Sequence, residues 1–147
     1  MAIAVYMLVV GISIGEQMVS SHAKGAGGER ELARWLFANK LTMLPPDRNL
    51  EQVRRGGIDL IPADHPFAYE VKRVERITGN TFDKWWIKAN SDAVKLGREP
   101  VVAYRTARSP WMFMVGVEKL LGLPGSFAIL KGVTFVKYAQ KRIIGYG

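Results

Sequence analysis

Two neighbouring stretches decide the fold: GGIDLIP at residues 56–62 and FAYEVKRV at residues 67–74. Both have the apolar content of β-strands, yet they contain Asp59, Glu70 and Lys72. A charged side chain among strand residues is costly unless it is paired or binds a metal ion. Packing alone therefore does not account for these three residues.

Local patterns around these stretches predict an α/β fold with a mixed central sheet. A helix is predicted from about Gly28 to Lys40, with Glu29 at the start of its core-facing stripe. A second helix is predicted in DKWWIKANSDAVKLG (83–97). Residues 50–62 and 67–74 are expected to form an antiparallel hairpin, because the connection between them is short. Further strands are predicted at 99–106 and 111–117, then a short helix in VEKLLGL, and strands in SFAILKG and VTFVKYA.

This arrangement would bring carboxylates from separate segments to one place. Period two in a strand puts Glu70 and Lys72 on the same face, and the predicted hairpin puts Asp59 beside them. Glu29 would enter from the covering helix. Crowded carboxylates repel one another unless a cation lies between them, and oxygen-rich sites suit Mg²⁺ or Mn²⁺. The pattern predicts metal-dependent phosphodiester hydrolysis, against the alternative of a surface Glu70–Lys72 pair and a turn aspartate.

Composition favours a nucleic-acid partner. The chain has 21 Lys and Arg against 13 Asp and Glu, a formal charge of +8, which favours polyanions such as DNA. With no cysteine there is no disulfide or thiolate zinc site. The two histidines, His22 and His65, are expected in surface or loop positions.

The apolar N-terminal stretch AIAVYMLVVGISI (2–14) is shorter than the roughly 17–25 residues that span a bilayer. It lacks the basic start of a signal peptide. We expect either an extra strand or helix packed on the domain, or translation beginning at Met18. Residues 1–17 are thus treated as an extension, and residues 18–147 as a single nuclease domain with a tail from about residue 116.

Three motifs in order resemble the PD-(D/E)XK nuclease superfamily, in particular archaeal-type Holliday junction resolvases and related phage resolvases. They are K-G-x-x-x-E-R-E-L, G-x-D-L and E-V-K. Their residues here are Lys24, Gly25, Glu29, Arg30, Glu31, Leu32, Asp59, Leu60, Glu70, Val71 and Lys72. The stretch WWIKANSDAVKLGREPVVAYR is similar to the helix and strand after E-x-K in that family.

The resemblance implies a restriction-endonuclease-like core, with Glu29, Asp59, Glu70 and the Val71 carbonyl at a Mg²⁺ site, Mn²⁺ being an alternative. It implies Lys72 as the catalytic lysine, and a homodimer that cuts two strands of a four-way DNA junction symmetrically. We expect such a protein to act on DNA inside the cell, to need no small-molecule cofactor, and to be encoded by a phage or prophage. The chain departs from the pattern where Ile58 replaces a proline. Lys88 or Asn90 stands where many resolvases have glutamine, and the part from about Gly116 has no clear counterpart.

Basic residues around the predicted site are candidates for phosphate contacts, which set affinity without reading bases. They are Lys24, Arg30, Arg54, Arg55, Arg73, Lys84 and Lys88. No base-reading motif is present, so recognition by DNA shape is expected. The alternatives are a repair or restriction-type nuclease of the same fold, a catalytically inactive DNA-binding protein, and a basic protein anchored to a membrane by residues 2–14.

Overall fold

The computed structural model describes residues 7–10, 25–43 and 58–145, and side chains from residue 27 onward in the last two ranges. Strands and helices alternate along these ranges except where β3 is followed directly by β4. The elements are β1 (Met7–Val10), α1 (Gly25–Ala38), β2 (Phe67–Val74), α2 (Thr81–Lys95), β3 (Glu99–Thr106), β4 (Met112–Gly116), α3 (Glu118–Leu121), β5 (Phe127–Lys131) and α4 (Gly132–Ile144).

The described strands form one mixed sheet in the order β1-β5-β4-β3-β2. β2 runs parallel to β3, whereas β4 is antiparallel to both of its neighbours. In the parallel pair Glu70 lies opposite Val102, and Lys72 lies opposite Tyr104. Helices cover both faces of the sheet, which confirms the predicted α/β class with a restriction-endonuclease-like mixed sheet.

Part of the apolar N-terminal stretch joins this sheet. β1 pairs in parallel with β5, with Met7 opposite Phe127. An extra strand packed on the domain was one of the expected alternatives for this stretch. Of the helices that the structure describes, none combines the length and the apolar character that crossing a membrane requires.

Each face of the sheet has its own apolar core. One core, under α1 and α4, includes the fully buried Leu32, Leu36, Tyr69, Phe113 and Phe135. The other, under α2, is built from Trp86 and Ala89 against residues of β3, β4 and β5. Strand β2 is buried on both sides over its first five residues, so its side chains are held rigidly.

The predicted stripe of the first helix is correct. Leu32, Ala33 and Leu36 are buried, and Glu29 on the same stripe is only 5% exposed. The helix begins earlier than predicted, at Gly25, so Gly25, Gly27 and Gly28 lie in its first turn. It ends before Lys40, whose positive φ of 60° reverses the chain direction.

Among the described residues 58–62 and 67–74, the predicted antiparallel hairpin is present as a single bridge, between Leu60 and Tyr69. Residues 50–57 of the predicted first strand lie outside the described residues. The ladder stops because the Asp59 side chain, rather than a backbone carbonyl, accepts the next N–H of the strand, that of Val71. The neighbour of β2 within the sheet is instead β3.

The prediction of a strand in VTFVKYA was wrong, because these residues lie in helix α4. β-branched and aromatic residues favoured a strand. The buried positions are four apart, however, at Phe135 and Ala139, which is the spacing of a helix face. The strands at 99–106 and in SFAILKG, and the short helix in VEKLLGL, agree with β3, β5 and α3. The strand predicted at 111–117 corresponds to β4.

His65 lies in the loop before β2, which is one of the two places expected for it, but its side chain is completely buried rather than at the surface. Its Nδ1 and the Tyr69 hydroxyl are 3.0 Å apart, and its Nε2 contacts the Leu41 carbonyl. Arg98 donates to the His65 carbonyl. The ring therefore ties the end of α1 to the start of β2. His22 lies outside the described residues.

Candidate active site

Glu70 is the buried centre of the site. It lies in the middle of β2, and its side chain is only 5% exposed. The two carboxylate oxygens each meet an ammonium group: Lys72 Nζ is 3.2 Å from Oε1, and Lys88 Nζ is 3.2 Å from Oε2. Lys72 follows two residues later on the same face, as the strand period predicted.

Asp59 lies at the outer edge of β2. The bridge between Leu60 and Tyr69 holds its backbone beside the strand, and Asp59 Oδ2 accepts the Val71 N–H at 2.8 Å. The N–H and C=O of one strand residue point to the same side. The Val71 carbonyl therefore faces the edge where Asp59 lies, which is the position that the sequence predicted for a backbone metal ligand.

Glu29 reaches the site from the start of α1, on the other face of the sheet. It is buried, and its negative charge contributes to raising the pKa of Asp59. The carboxylate of Glu29 is thus close enough to that of Asp59 for electrostatic repulsion. This places the third predicted carboxylate near the sheet edge.

Burial and repulsion together make the ionised acids unfavourable. Burial raises the pKa of Asp59, and the Val71 N–H bond works against that shift. Burial also raises the pKa of Glu70, Asp59 raises it further, and Lys72 and Lys88 oppose the rise. A cation between Asp59 and Glu70 would remove the repulsion.

Asp59 and Glu70 fit a hard divalent cation, but the predicted third carboxylate, Glu29, does not join them as a ligand. Mg²⁺ usually takes one or two protein carboxylates and fills its other positions with water and substrate phosphate. Asp59 and Glu70 supply such a pair. Among the described residues, however, no three acidic or histidine side chains form a ready metal-binding group. The structure does not bring Glu29, Asp59 and Glu70 together as three ligands of one ion.

Asp92 is a site residue that the sequence reasoning missed. It lies one turn after Lys88 in α2, and its Oδ2 is 3.0 Å from Lys88 Nζ. Burial lowers the pKa of Lys88, but bonds to Asp92 and Glu70 outweigh this and raise it. The i, i+4 spacing of Lys88 and Asp92 is the signal that would have found this pair.

A second ion cluster beside the site was also missed. Glu31 binds Arg105 and lies 3.3 Å from Arg73 Nη1. Arg105 also lies over the Trp111 ring, 5.6 Å from its centroid. No local pattern signals a contact between residues 31 and 105, because only the packing of α1 against the folded sheet creates it.

The predicted DNA-contacting residues divide into three groups. Arg30 and Lys84 are exposed. Arg73 and Lys88 are partly exposed but bind carboxylates within the protein. Lys24, Arg54 and Arg55 lie outside the described residues. Trp86 and Trp111 are buried in the core, so neither presents its ring for stacking on a base.

A mixed sheet flanked by helices, with an aspartate at the edge strand and E-x-K within it, defines the PD-(D/E)XK nuclease class. Residues 20–142 match a protein family described as "Phage putative PDDEXK endonuclease". The chain belongs to this family. The match extends through β5 and most of α4. A search of curated proteins found no match, and neither did a search of solved structures.

Proposed function

We propose that this protein is a divalent-metal-dependent DNA endonuclease that hydrolyses phosphodiester bonds in branched DNA, most specifically in four-way junctions. Membership of an endonuclease family supports the reaction class. The observation that carries the proposal is the closeness of Asp59 to Glu70, beside Lys72, at the β2 edge of the described sheet.

In this proposal Asp59, Glu70 and the Val71 carbonyl hold Mg²⁺ or Mn²⁺. The bound ion would supply Lewis-acid polarisation of the phosphodiester and would lower the pKa of the attacking water. The protein prepares this site by fixing Glu70 in a strand buried on both faces and by anchoring Asp59 on the Val71 amide. Glu29 adds negative charge from α1 and stays a predicted supporting residue.

Lys72 is the proposed catalytic lysine. Its Nζ is 3.2 Å from Glu70 Oε1, yet its side chain is 21% exposed, so solvent and substrate can reach it. An ammonium group here can orient a water molecule or stabilise negative charge that develops on the phosphate. Replacing it by Ala should lower the cleavage rate by about 100-fold or more, the range seen when one charge-stabilising donor is removed.

The DNA would be held by charge rather than by base contacts. The formal charge of +8 and the exposed Arg30 and Lys84 support binding to phosphates. The remaining predicted contacts, Lys24, Arg54, Arg55, Arg73 and Lys88, stay part of the proposal. A four-way junction has two symmetric strands to cut, so we further propose a homodimer. The proposal places the protein inside the cell with its DNA, and treats residues 18–147 as one nuclease domain.

Cleavage of matched DNA substrates tests the proposal. Four-way junction, flap and linear duplex of the same sequence are incubated with Mg²⁺, Mn²⁺ or EDTA and resolved on gels. We expect metal-dependent cutting with preference for the junction, and loss of cutting in Asp59→Asn and Lys72→Ala. Lys95→Met, at an exposed position at the end of α2, is the control variant and should cut normally.

The other outcomes discriminate between the alternatives. Equal cutting of all three DNAs would refute the preference for junctions and would favour a repair or restriction-type nuclease of the same fold. Cutting that persists in EDTA, or in Asp59→Asn, would refute the metal site. DNA binding without cutting under every condition would favour a catalytically inactive binding protein.

A further inference from the structure

Lys88 occupies a position in the site that the chemistry of phosphodiester hydrolysis does not itself require. Glu70 already has one ammonium partner, Lys72 on Oε1, and Lys88 takes the other oxygen, Oε2. Both carboxylate oxygens of a proposed metal ligand therefore carry a positive partner from the protein itself. A divalent cation and an ammonium group repel each other, so binding of both to Glu70 Oε2 at the same time is unfavourable.

The partner that can move is Lys88. Its side chain is 52% exposed, whereas that of Glu70 is 5% exposed and fixed within β2. Lysine has a flexible four-carbon stem and keeps rotational freedom when its head is in solvent. If contact with Glu70 is lost, the Lys88 head still has Asp92 Oδ2 at 3.0 Å. The loss of the Glu70 contact therefore does not leave Lys88 as an uncompensated charge.

DNA offers Lys88 a stronger partner than Glu70. The phosphates beside a cleavage site form a dense row of negative charge, and lysine is a common phosphate ligand. The Lys88 ammonium group lies 3.2 Å from Glu70 Oε2, beside the place where the scissile phosphate must come if Asp59 and Glu70 hold the metal. The arrival of a phosphate would draw the ammonium group away from Oε2.

We propose that Lys88 is a positioning residue that occupies Glu70 Oε2 until DNA binds and then moves to a DNA phosphate. The site thereby gains much of its affinity for a divalent cation only in the presence of DNA. This inference rests on the proposed function. Because coupling between two ligands is reciprocal, the metal also tightens DNA binding by the same factor.

The test is a calorimetric titration of Mn²⁺ into the protein without DNA. Lys88→Met removes the competing charge and keeps much of the stem, so it should bind Mn²⁺ about tenfold more tightly than the natural protein. Lys88→Arg keeps the charge and should bind as the natural protein does. Lys95→Met removes the same charge about 10 Å further along α2 and is the matched control.

A second readout separates competition at Glu70 from a general effect of charge. With saturating junction DNA, the Mn²⁺ concentration that gives half-maximal cleavage is measured for the same variants. DNA already displaces Lys88 in the natural protein. The Mn²⁺ concentration for half-maximal cleavage should therefore differ by less than about threefold between the natural protein and Lys88→Met. Circular dichroism checks that Lys88→Met is folded.

The results distinguish the inference from the proposed function. If Lys88→Met binds Mn²⁺ no more tightly than the natural protein, or if Lys95→Met gains as much, the role of Lys88 is refuted. Metal-dependent cleavage by the natural protein would then leave the proposed function standing. If the natural protein neither binds Mn²⁺ nor cuts DNA, the proposed function fails, and the role of Lys88 fails with it.

Discussion

Phe135→Ala tests whether the C-terminal helix α4 completes the nuclease core. The Phe135 ring is fully buried and stacks on Phe113 with centroids 4.0 Å apart and an interplanar angle of 6°. It also lies 6.0 Å from Phe67 and 6.4 Å from Tyr69. Those two residues are in β2, the strand that carries the Glu70 and Lys72 side chains on its other face.

The magnitude follows from this burial. Truncating a buried Phe to Ala costs about 3–5 kcal/mol, out of a total of about 5–15 kcal/mol for a typical domain. For a chain of this size, each kcal/mol lowers the melting temperature by about 2–4 °C, so we expect a decrease of about 6–20 °C.

Urea unfolding in EDTA, followed by tryptophan fluorescence, measures the loss. Trp35 is a suitable reporter because its ring lies 4.9 Å from that of Phe113. Val133→Ala, at a 67% exposed position of α4, is the control and should change the free energy of unfolding by less than about 0.5 kcal/mol. If Phe135→Ala lost less than about 1 kcal/mol, α4 would not pack on β2 as described. Should that variant not fold at all, Phe135→Leu gives a smaller, measurable loss.

Three further predictions concern stability. Burial lowers the pKa of His65 below 6.5, so as pH falls the unfolded chain binds this proton before the folded protein does, and the free energy of unfolding should decrease below about pH 6.5. In urea melts from pH 5 to 8, His65→Gln should weaken this pH dependence. Gly132→Ala would put its Cβ 2.9 Å from Trp35 Cζ2 and should lower the free energy of unfolding by about 1–3 kcal/mol. The Cβ of Gly27→Ala would meet nothing within 4 Å, so this variant should raise the free energy of unfolding by about 0.5–1 kcal/mol; equal melting temperatures for the two variants would contradict this. The raised pKa of Asp59 means that its ionised form opposes folding, so Asp59→Asn should be more stable than the natural protein at pH 7 in EDTA. This gain should shrink as pH falls below the raised pKa and disappear below the ordinary value of 3.8; a loss of stability at pH 7 would contradict the electrostatics described above.

The parts of the fold that local periodicity predicts are the ones that bury one clear face. The stripe of Leu32, Ala33 and Leu36 predicts α1 because helix neighbours recur every three or four residues. Trp86 and Ala89 predict the inner face of α2 in the same way. Charged residues within an apolar strand predict where chemistry takes place, since burial alone would exclude them.

The parts that periodicity does not predict depend on contacts between distant segments. α4 reads as a strand because Val133 and Val136 favour one, and only the packing of Phe135 on Phe113 selects the helix. The register of the sheet likewise depends on β3 pairing in parallel with β2, not on the nearer residues 58–62.

In the site, too, local sequence patterns predict some residues, whereas contacts between distant segments determine others. Asp59, Glu70 and Lys72 stand out in the sequence because each interrupts an apolar run. The contact of Lys88 with Glu70 joins residues 18 positions apart and arises only when α2 packs on β2. No sequence pattern specifies that both Glu70 oxygens meet ammonium groups, because side-chain reach and burial in the folded state decide it.

The most direct measurement of the central claim is an anomalous difference map from crystals grown with DNA and Mn²⁺. The account predicts an anomalous peak in contact with carboxylate oxygens of both Asp59 and Glu70, and its absence in the same crystals of Asp59→Asn. A Mn²⁺ peak bound elsewhere in crystals of a protein that cuts DNA, with Asp59 and Glu70 contacting only protein groups, would contradict it.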